Sequence, residues 1–265
     1  MFSVVIPLYN KEISVKETLY SVLNQSFSDF EVIIVNDGST DKSLEKVNEI
    51  ADPRLRIINK KNGGVSSARN LGIKEANEDW IAFLDGDDFW KQDHLSTVAN
   101  LIKEFPEDLA FCTSFVKNTD DAEEKKASIN SVEIINDYFE RATKKHFFWT
   151  SVVVLKKEIF NEIGFFNEKL ALGEDLDVWS RVGRKYRIIK SNNITAIYNK
   201  TAENKATLRE YSYEKSFLST INLSGKTGNE RKYLKKLLLV RLYWCAKVKN
   251  WSIGRRIIQK LININ

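Results

Sequence analysis

Apolar and polar positions follow two alternating regimes along the first 115 residues. Short, uniformly apolar runs over Ser3–Ile6, Glu31–Val35, Leu55–Ile58 and Trp80–Leu84 predict strands buried on both faces, because a half-exposed strand would alternate. Between them, apolar residues at helical spacing predict helices over Ser14–Asn24, from Ser39 or Thr40 to about Ala51, and over Ser66–Ala76. Ser14 and Glu17 stand at the spacing of a capping box. Strands separated by helices in this way imply crossover connections and a mostly parallel sheet covered on both sides. The stretch from Lys117 to Lys126 turns polar and reads as a surface loop or insertion. Beyond it the pattern predicts a helix over Ser131–Arg141, a strand over Ser151–Leu155 and a helix over Lys156–Ile163 closed by Gly164. A further helix opens at Gly173-Glu174-Asp175, a strand covers Arg187–Tyr198, and everything past Leu208 reads as helix.

Ligands of parallel sheets bind beyond the carboxyl ends of the strands. Tyr9, Asp37 and the run Asp85-Gly86-Asp87-Asp88 each follow directly on a strand, so they should converge on one edge. Three carboxylates within four positions repel one another unless a cation or solvent offsets the charge. Hard oxygen ligands on a loop suit Mg²⁺ or Mn²⁺, although an acidic turn capping the next helix would carry the same residues. Asp37, in Asn36-Asp37-Gly38-Ser39, can accept from a base or ribose close to a helix N-terminus. Gly63-Gly64 followed by Ser66–Asn70 could wrap a phosphate, with Arg69 as a charged donor. Glu174 and Asp175 sit on the first turn of a helix, either as partners of its dipole or as a general base.

Composition narrows the classes. The 265 residues allow one large domain with an appendage, or two small domains, and 43% hydrophobic residues with three prolines point to a folded chain. Cys112 and Cys245 stand far apart and only two histidines occur, which disfavours a disulfide scaffold or a zinc centre and suggests a reducing cytoplasm. The N-terminal MFSVVIPLYN lacks the features of a signal peptide. Apolar runs such as Leu237–Val240 fall far short of the roughly 20 residues that cross a bilayer. No Ser–His or Cys–His pairing suggests a covalent nucleophile.

Taken together, SVVIPLYN (3–10), EVIIVNDGSTD (31–41), NGGVSSARNLGI (62–73), WIAFLDGDDFW (80–90) and IGFFNEKLALGEDLDVWSR (163–181) resemble the family 2 glycosyltransferases, inverting enzymes of the GT-A fold. The five segments keep the family's order and spacing over roughly residues 1–200. The resemblance implies a GT-A catalytic domain over 1–205, with a nucleotide-binding half (1–115) and an acceptor-side half (116–205), followed by a helical extension over 206–265. It further implies that Pro7 and Tyr9 line the base pocket, Asp37 accepts from the imide of uracil, and Arg69 lies near the nucleotide. Asp85 would contact the ribose, Asp87 would bind the Mn²⁺ or Mg²⁺ that bridges the diphosphate, Asp175 would be the general base, and Glu174 its companion on the acceptor side. The partners implied are a nucleotide-sugar donor, most simply a UDP-sugar, and a glycan or lipid-linked glycan acceptor of cell-surface polysaccharide synthesis. One departure is the segment Tyr198–Asn204, which lacks the histidine many relatives carry there; Glu203 or water would have to complete the metal shell. Trp149 or Tyr211 could stack on a sugar.

Charge adds a second theme. The chain carries 41 Lys and Arg against 36 Asp and Glu, yet residues 230–265 hold ten basic residues and only Glu230 on the acidic side. On a single helical wheel Leu234, Leu237, Leu238, Trp244, Cys245, Val248 and Trp251 share one face, with Lys232, Lys235, Lys236 and Lys247 on or near the other. Such a helix either packs on the domain or rests on an anionic membrane surface, which would place the protein peripherally on the inner face of the cytoplasmic membrane. No nucleic-acid module is present. Two other functions fit parts of the pattern: a metal-dependent phosphohydrolase using the Asp85–Asp88 cluster, and a non-catalytic, membrane-associated nucleotide-binding protein.

Overall fold

The computed structural model describes residues 1–117, 131–204 and 212–262. Four apolar runs form β1 (Phe2–Leu8), β2 (Phe30–Asn36), β3 (Leu55–Asn59) and β4 (Trp80–Phe83), parallel and in the order β3-β2-β1-β4. Val4, Val5, Ile6, Val32, Ile33, Ile34, Ile81 and Ala82 are fully buried in them, as expected of strands covered on both faces. The crossovers run through α1 (Val15–Leu23), α2 (Ser43–Asn48) and α3 (Val65–Glu75). A Cβ on Gly72 would lie 2.4 Å from Val5 Cγ1, so α3 can lie this close to β1 only at a glycine.

Beyond β4 the sheet is mixed. β8 (Val153–Lys156) runs antiparallel to β4, and β6 (Ala110–Lys117) joins β8 to the long β9 (Ile188–Tyr198), to which it is parallel. β5 (Phe89–Trp90) and β7 (Val132–Ile135) add antiparallel pairings to β9. The helices here are α4 (His94–Glu104), α5 (Tyr138–Lys144), α6 (Ile159–Ile163) and α7 (Glu174–Lys185). An aromatic cluster of Phe83, Phe148, Phe166 and Trp179 ties α7 to the sheet, with ring centroids 5.1–6.1 Å apart. The chain then makes a short α8 (Phe217–Thr220) and two longer helices, α9 (Gly228–Lys247) and α10 (Trp251–Ile262). No helix among the described residues is long and apolar enough to cross a membrane.

Three local expectations fail for physical reasons. Ser14 has helical backbone angles, whereas a capping serine needs an extended backbone. Its place is taken by Glu203, whose Oε1 accepts from Ile13 N at 3.0 Å and Ser14 N at 3.1 Å. Residues 131–141 are not one helix: Val132–Ile135 pairs with β9, and α5 starts only after Asp137, whose side chain accepts from Glu140 N. Nor is the C-terminal region continuous helix. Residues 221–227 are non-helical, and the chain turns between α9 and α10 at Lys249, which has a φ of 57°. The predicted single apolar face of the tail therefore divides. Leu234, Leu238 and Cys245 are buried and Leu237 is partly so, but Trp244, Val248 and Trp251 face outward. The polar stretch Lys117–Lys126 and Tyr211 lie outside the described residues, Lys117 excepted.

Candidate active site

The carboxyl ends of β1, β2 and β4 open onto one cleft of about 370 Å³, closed on its other side by Trp149, Leu172 and the first turn of α7. Its walls include all eight residues singled out from the sequence: Pro7, Tyr9, Asp37, Arg69, Asp85, Asp87, Glu174 and Asp175.

Asp37 follows β2 and its N–H donates to Leu8 O at 2.8 Å, which locks the β1 and β2 ends together. The carboxylate accepts from Gly63 N (2.9 Å), Gly64 N (2.8 Å) and Lys60 Nζ (2.5 Å). Gly64 holds a φ of 89°, a conformation that favours glycine, and this turns the two amides toward Asp37. Asp37 is thus a buried, charge-balanced acceptor that still borders the cleft.

Arg69 lies on α3, almost fully buried, between two acids. Its Nη2 donates to Asp85 Oδ1 at 2.6 Å and its Nη1 to Glu174 Oε1 at 3.0 Å, joining the loop after β4 to the first turn of α7 across the cleft. Burial works against its charge, but Asp85, Glu174 and Asp175 outweigh that and raise its pKa above the ordinary arginine value. Among the carboxylates the balance is reversed. Burial first, then Asp175, pushes Glu174 up despite Arg69. Burial, with a smaller contribution from Asp85, raises Asp175 against the pull of Arg69 and the Leu176 N–H. A carboxylate made more basic in a cleft wall has the property a proton acceptor needs.

The acidic run after β4 divides into two kinds of residue. Asp85 and Asp87 face the cleft on either side of Gly86, where a Cβ would come within 3.1 Å of Pro7 O. Asp88 turns inward. Its carboxylate accepts from Ser151 Oγ (2.6 Å) and Asn199 N (3.1 Å), and Ser151 Oγ accepts in turn from Asp85 N (3.2 Å). Burial and the neighbouring Asp87 and Asp85 raise Asp88 well above the usual carboxylate range. Asp88 therefore positions the loop rather than facing a ligand.

Two cations were missed in reading the sequence. Lys60 neutralises Asp37, and Lys11 places its Nζ 2.5 Å from Asp87 Oδ2 and 2.6 Å from Glu203 O. Both follow strand ends, as the acids do, and that position was the available signal. Glu203 was the candidate for completing a metal shell, but its Oε1 is engaged by Ile13 N, Ser14 N and Ser14 Oγ. Among the described residues no three His, Cys, Asp or Glu gather as a metal site. What remains, two carboxylates flanking a glycine, fits an ion that takes its other ligands from phosphate and water, provided Lys11 leaves Asp87. Trp149 lines the cleft, packed against Phe115 and Tyr198, and its indole N–H is buried without a protein partner. Neither histidine lines the cleft, although His146 packs edge-on against Trp149. Burial lowers His94 to about 3, and its Nδ1 lies 2.7 Å from Thr195 Oγ1.

Comparisons with known proteins agree with this geometry. An uncharacterized glycosyltransferase, EpsJ of Bacillus subtilis, is 27% identical over 246 residues, covering 85% of this chain and 72% of its own. Two other bacterial glycosyltransferases match over shorter stretches, 33% identical over 184 residues, 26% of a longer Rickettsia bellii protein, and 40% identical over 105 residues, 42% of a Haemophilus influenzae protein. Among solved structures, S. aureus TarS 1–349 in complex with UDP-GlcNAc superposes with a TM-score of 0.68 at 21% identity, over 91% of this chain and 66% of that one. The mannosyltransferase PcManGT of Pyrobaculum calidifontis, in complex with GDP-Man and Mn²⁺, gives a TM-score of 0.57 at 21% identity, over 74% and 56%. These likenesses establish the GT-A fold. The sequence pattern of the glycosyl transferase family 2 matches residues 3–164, well over half of the chain, and the protein belongs to that family.

Proposed function

We propose that the chain transfers a sugar, with inversion, from a nucleotide-diphosphate donor to a hydroxyl of a glycan or lipid-linked glycan used in cell-surface polysaccharide synthesis. The observation that carries this reading is the convergence of five separate segments, bearing eight functional side chains, on one cleft. A UDP-sugar is the preferred donor, a choice supported by the UDP-GlcNAc complex of the structurally similar TarS. Pro7, Tyr9 and Asp37 bind the base, Asp37 through carboxylate lone pairs not used by Gly63, Gly64 and Lys60. Asp85 contacts the ribose and is held in place by Arg69.

Asp175 takes the proton of the acceptor hydroxyl as its oxygen attacks the anomeric carbon. The bond from that carbon to the diphosphate oxygen breaks on the opposite face, and the nucleoside diphosphate leaves with the electron pair. Arg69 keeps Glu174 and Asp85 fixed, so Asp175 approaches the acceptor from a rigid wall. The unpartnered Trp149 indole N–H can donate to a sugar hydroxyl in the same space. Mn²⁺ or Mg²⁺ at Asp87, with Asp85 beside it, would neutralise the charge that develops on the diphosphate. In this reading residues 206–265 form an extension of the catalytic domain, and the enzyme works peripherally at the inner face of a membrane.

A thermal-shift panel of UDP-, GDP- and TDP-sugars, with and without Mn²⁺, tests the donor assignment, since a ligand present at 100 times its Kd stabilises by about 2.7 kcal/mol. A shift with UDP-sugars that disappears in Asp37→Ala is expected. Release of phosphate from simple phosphomonoesters, without need of a sugar acceptor, would overturn the reading.

A further inference from the structure

The helix α9 is apolar on two opposed sides. The inner side carries Leu234, Leu238 and Cys245, all buried, and Tyr233 packs on Tyr138 and Phe139 of α5. The outer side carries Lys232, Leu239, Val240, Tyr243 and Lys247 at helical spacing, with Trp244 at its margin, whereas Lys236 turns back to donate to Thr143 O of α5. Tyr243 is 67% exposed and Trp244 is 48% exposed. In α10, Trp251, Arg255, Ile258 and Ile262 form a second outward stripe, with Trp251 58% exposed. The other side of α10 faces the domain: Ile257 is buried, Lys260 Nζ donates to Ser219 O (2.9 Å) and Ile221 O (2.7 Å), and Arg256 pairs with Glu214.

Large aromatic and aliphatic side chains exposed in series call for a partner. We propose that the outward stripes of α9 and α10 are a docking surface for an anionic lipid bilayer, with Tyr243, Trp244 and Trp251 entering the headgroup region and Lys232, Lys247, Lys249 and Arg255 pairing with lipid phosphates. Charge selects this occupant. From Arg231 to Ile262 there is no aspartate or glutamate, so the outward stripes of the two helices carry cations and no acid of their own. A second copy docking through the same face would bring two such rims together without a countercharge, which opposes association. A bilayer rich in anionic lipid supplies the countercharge, and its interface suits rings with one polar edge.

The inference deepens the peripheral location proposed above and rests on that part of the reading. It is tested with the full chain and vesicles of 30% phosphatidylglycerol in phosphatidylcholine, by flotation and by quenching of tryptophan fluorescence with brominated lipid. Binding is expected to weaken at least tenfold in pure phosphatidylcholine. It should also weaken at least tenfold in a Tyr243→Ser, Trp244→Ser, Trp251→Ser variant of unchanged Tm, and in Lys232→Glu, Lys247→Glu. Equal binding by wild type and both variants, or none by wild type, would overturn it. So would a wild-type dimer in light scattering that the triple variant converts to monomer. Hydrolysis of a UDP-sugar in solution reads the catalytic assignment separately, and the triple variant should retain it.

Discussion

The cleft and the C-terminal helices depart from the usual partition of residues in opposite ways. At the cleft, Arg69, Asp87, Glu174 and Asp175 are charged groups taken largely out of water, three of them with carboxyl pKa values raised by burial. Along α9, its C-terminal cap Val248 and α10, Tyr243, Trp244, Val248 and Trp251 are apolar groups left in water. Each arrangement costs free energy in the free protein, so each marks a place where a ligand changes the balance. The chemistry of the mismatch indicates the ligand: buried, partly neutralised acids suit a phosphate-bearing donor with its cation, while exposed rings among lysines suit a lipid surface.

Mutations can separate the two regions. The largest effect on stability is expected from Arg69→Met, which strands Glu174 and Asp85 without their cation. Breaking a buried pair in this way costs about 3–5 kcal/mol, toward the lower end here because Asp85 reaches solvent. Chemical denaturation should show this loss together with loss of donor binding; a variant as stable as wild type would remove Arg69 from its bridging role.

Next is the pH dependence of transfer. Burial raises Asp175, and a general base must be unprotonated, so the rate should fall as pH drops through a value above the ordinary carboxylate range of about 4. Stability carries the opposite sign. Asp88, Glu174 and Asp175 bind protons more tightly folded than unfolded, so they oppose folding once pH rises above the unfolded pKa, most fully above their raised folded values. An acid limb of the rate profile at the ordinary carboxylate value would contradict the assignment.

A smaller effect concerns Lys11. Its ammonium holds the Asp87 carboxylate that a divalent ion would need. Lys11→Met should therefore tighten Mn²⁺ binding in the absence of donor, by about tenfold or 1.4 kcal/mol, as read by titration calorimetry. Unchanged or weaker binding would show that Lys11 does not compete at Asp87. The smallest effect is expected in the other region, where the Tyr243, Trp244 and Trp251 serine variants should each change stability by no more than about 0.5 kcal/mol. A loss of 2 kcal/mol or more in thermal unfolding would mean that these rings pack on the domain.

The catalytic half was legible because its physics is local. A strand buried on both faces reads as an unbroken apolar run, and the residue after it stands at the ligand edge of a parallel sheet, which is where Tyr9, Asp37 and Asp85 stand. Glu174 and Asp175 were legible from a helix start and, more firmly, from the family resemblance. What was not legible depends on contacts between distant parts of the chain. The cap of α1 comes from Glu203, and Val132–Ile135 becomes a strand because β9 offers it an edge. Asp88 resembles its neighbours in sequence, but Ser151 and Asn199 draw it inward. The helical wheel of the tail assumed one helix with one face. The turn at Lys249 and the packing of Tyr233 on α5 instead leave Trp244 and Trp251 outside.

The central claim, that this cleft transfers a sugar with Asp175 as the base, is tested most directly by the Asp175→Asn variant. The substitution removes one proton acceptor and keeps the shape. UDP-sugar binding by calorimetry should be unchanged and the Tm equal to or above that of wild type, since a buried carboxylate has been neutralised, while transfer falls by about 10²–10⁴. Transfer at the wild-type rate by a variant that binds donor normally would contradict the account.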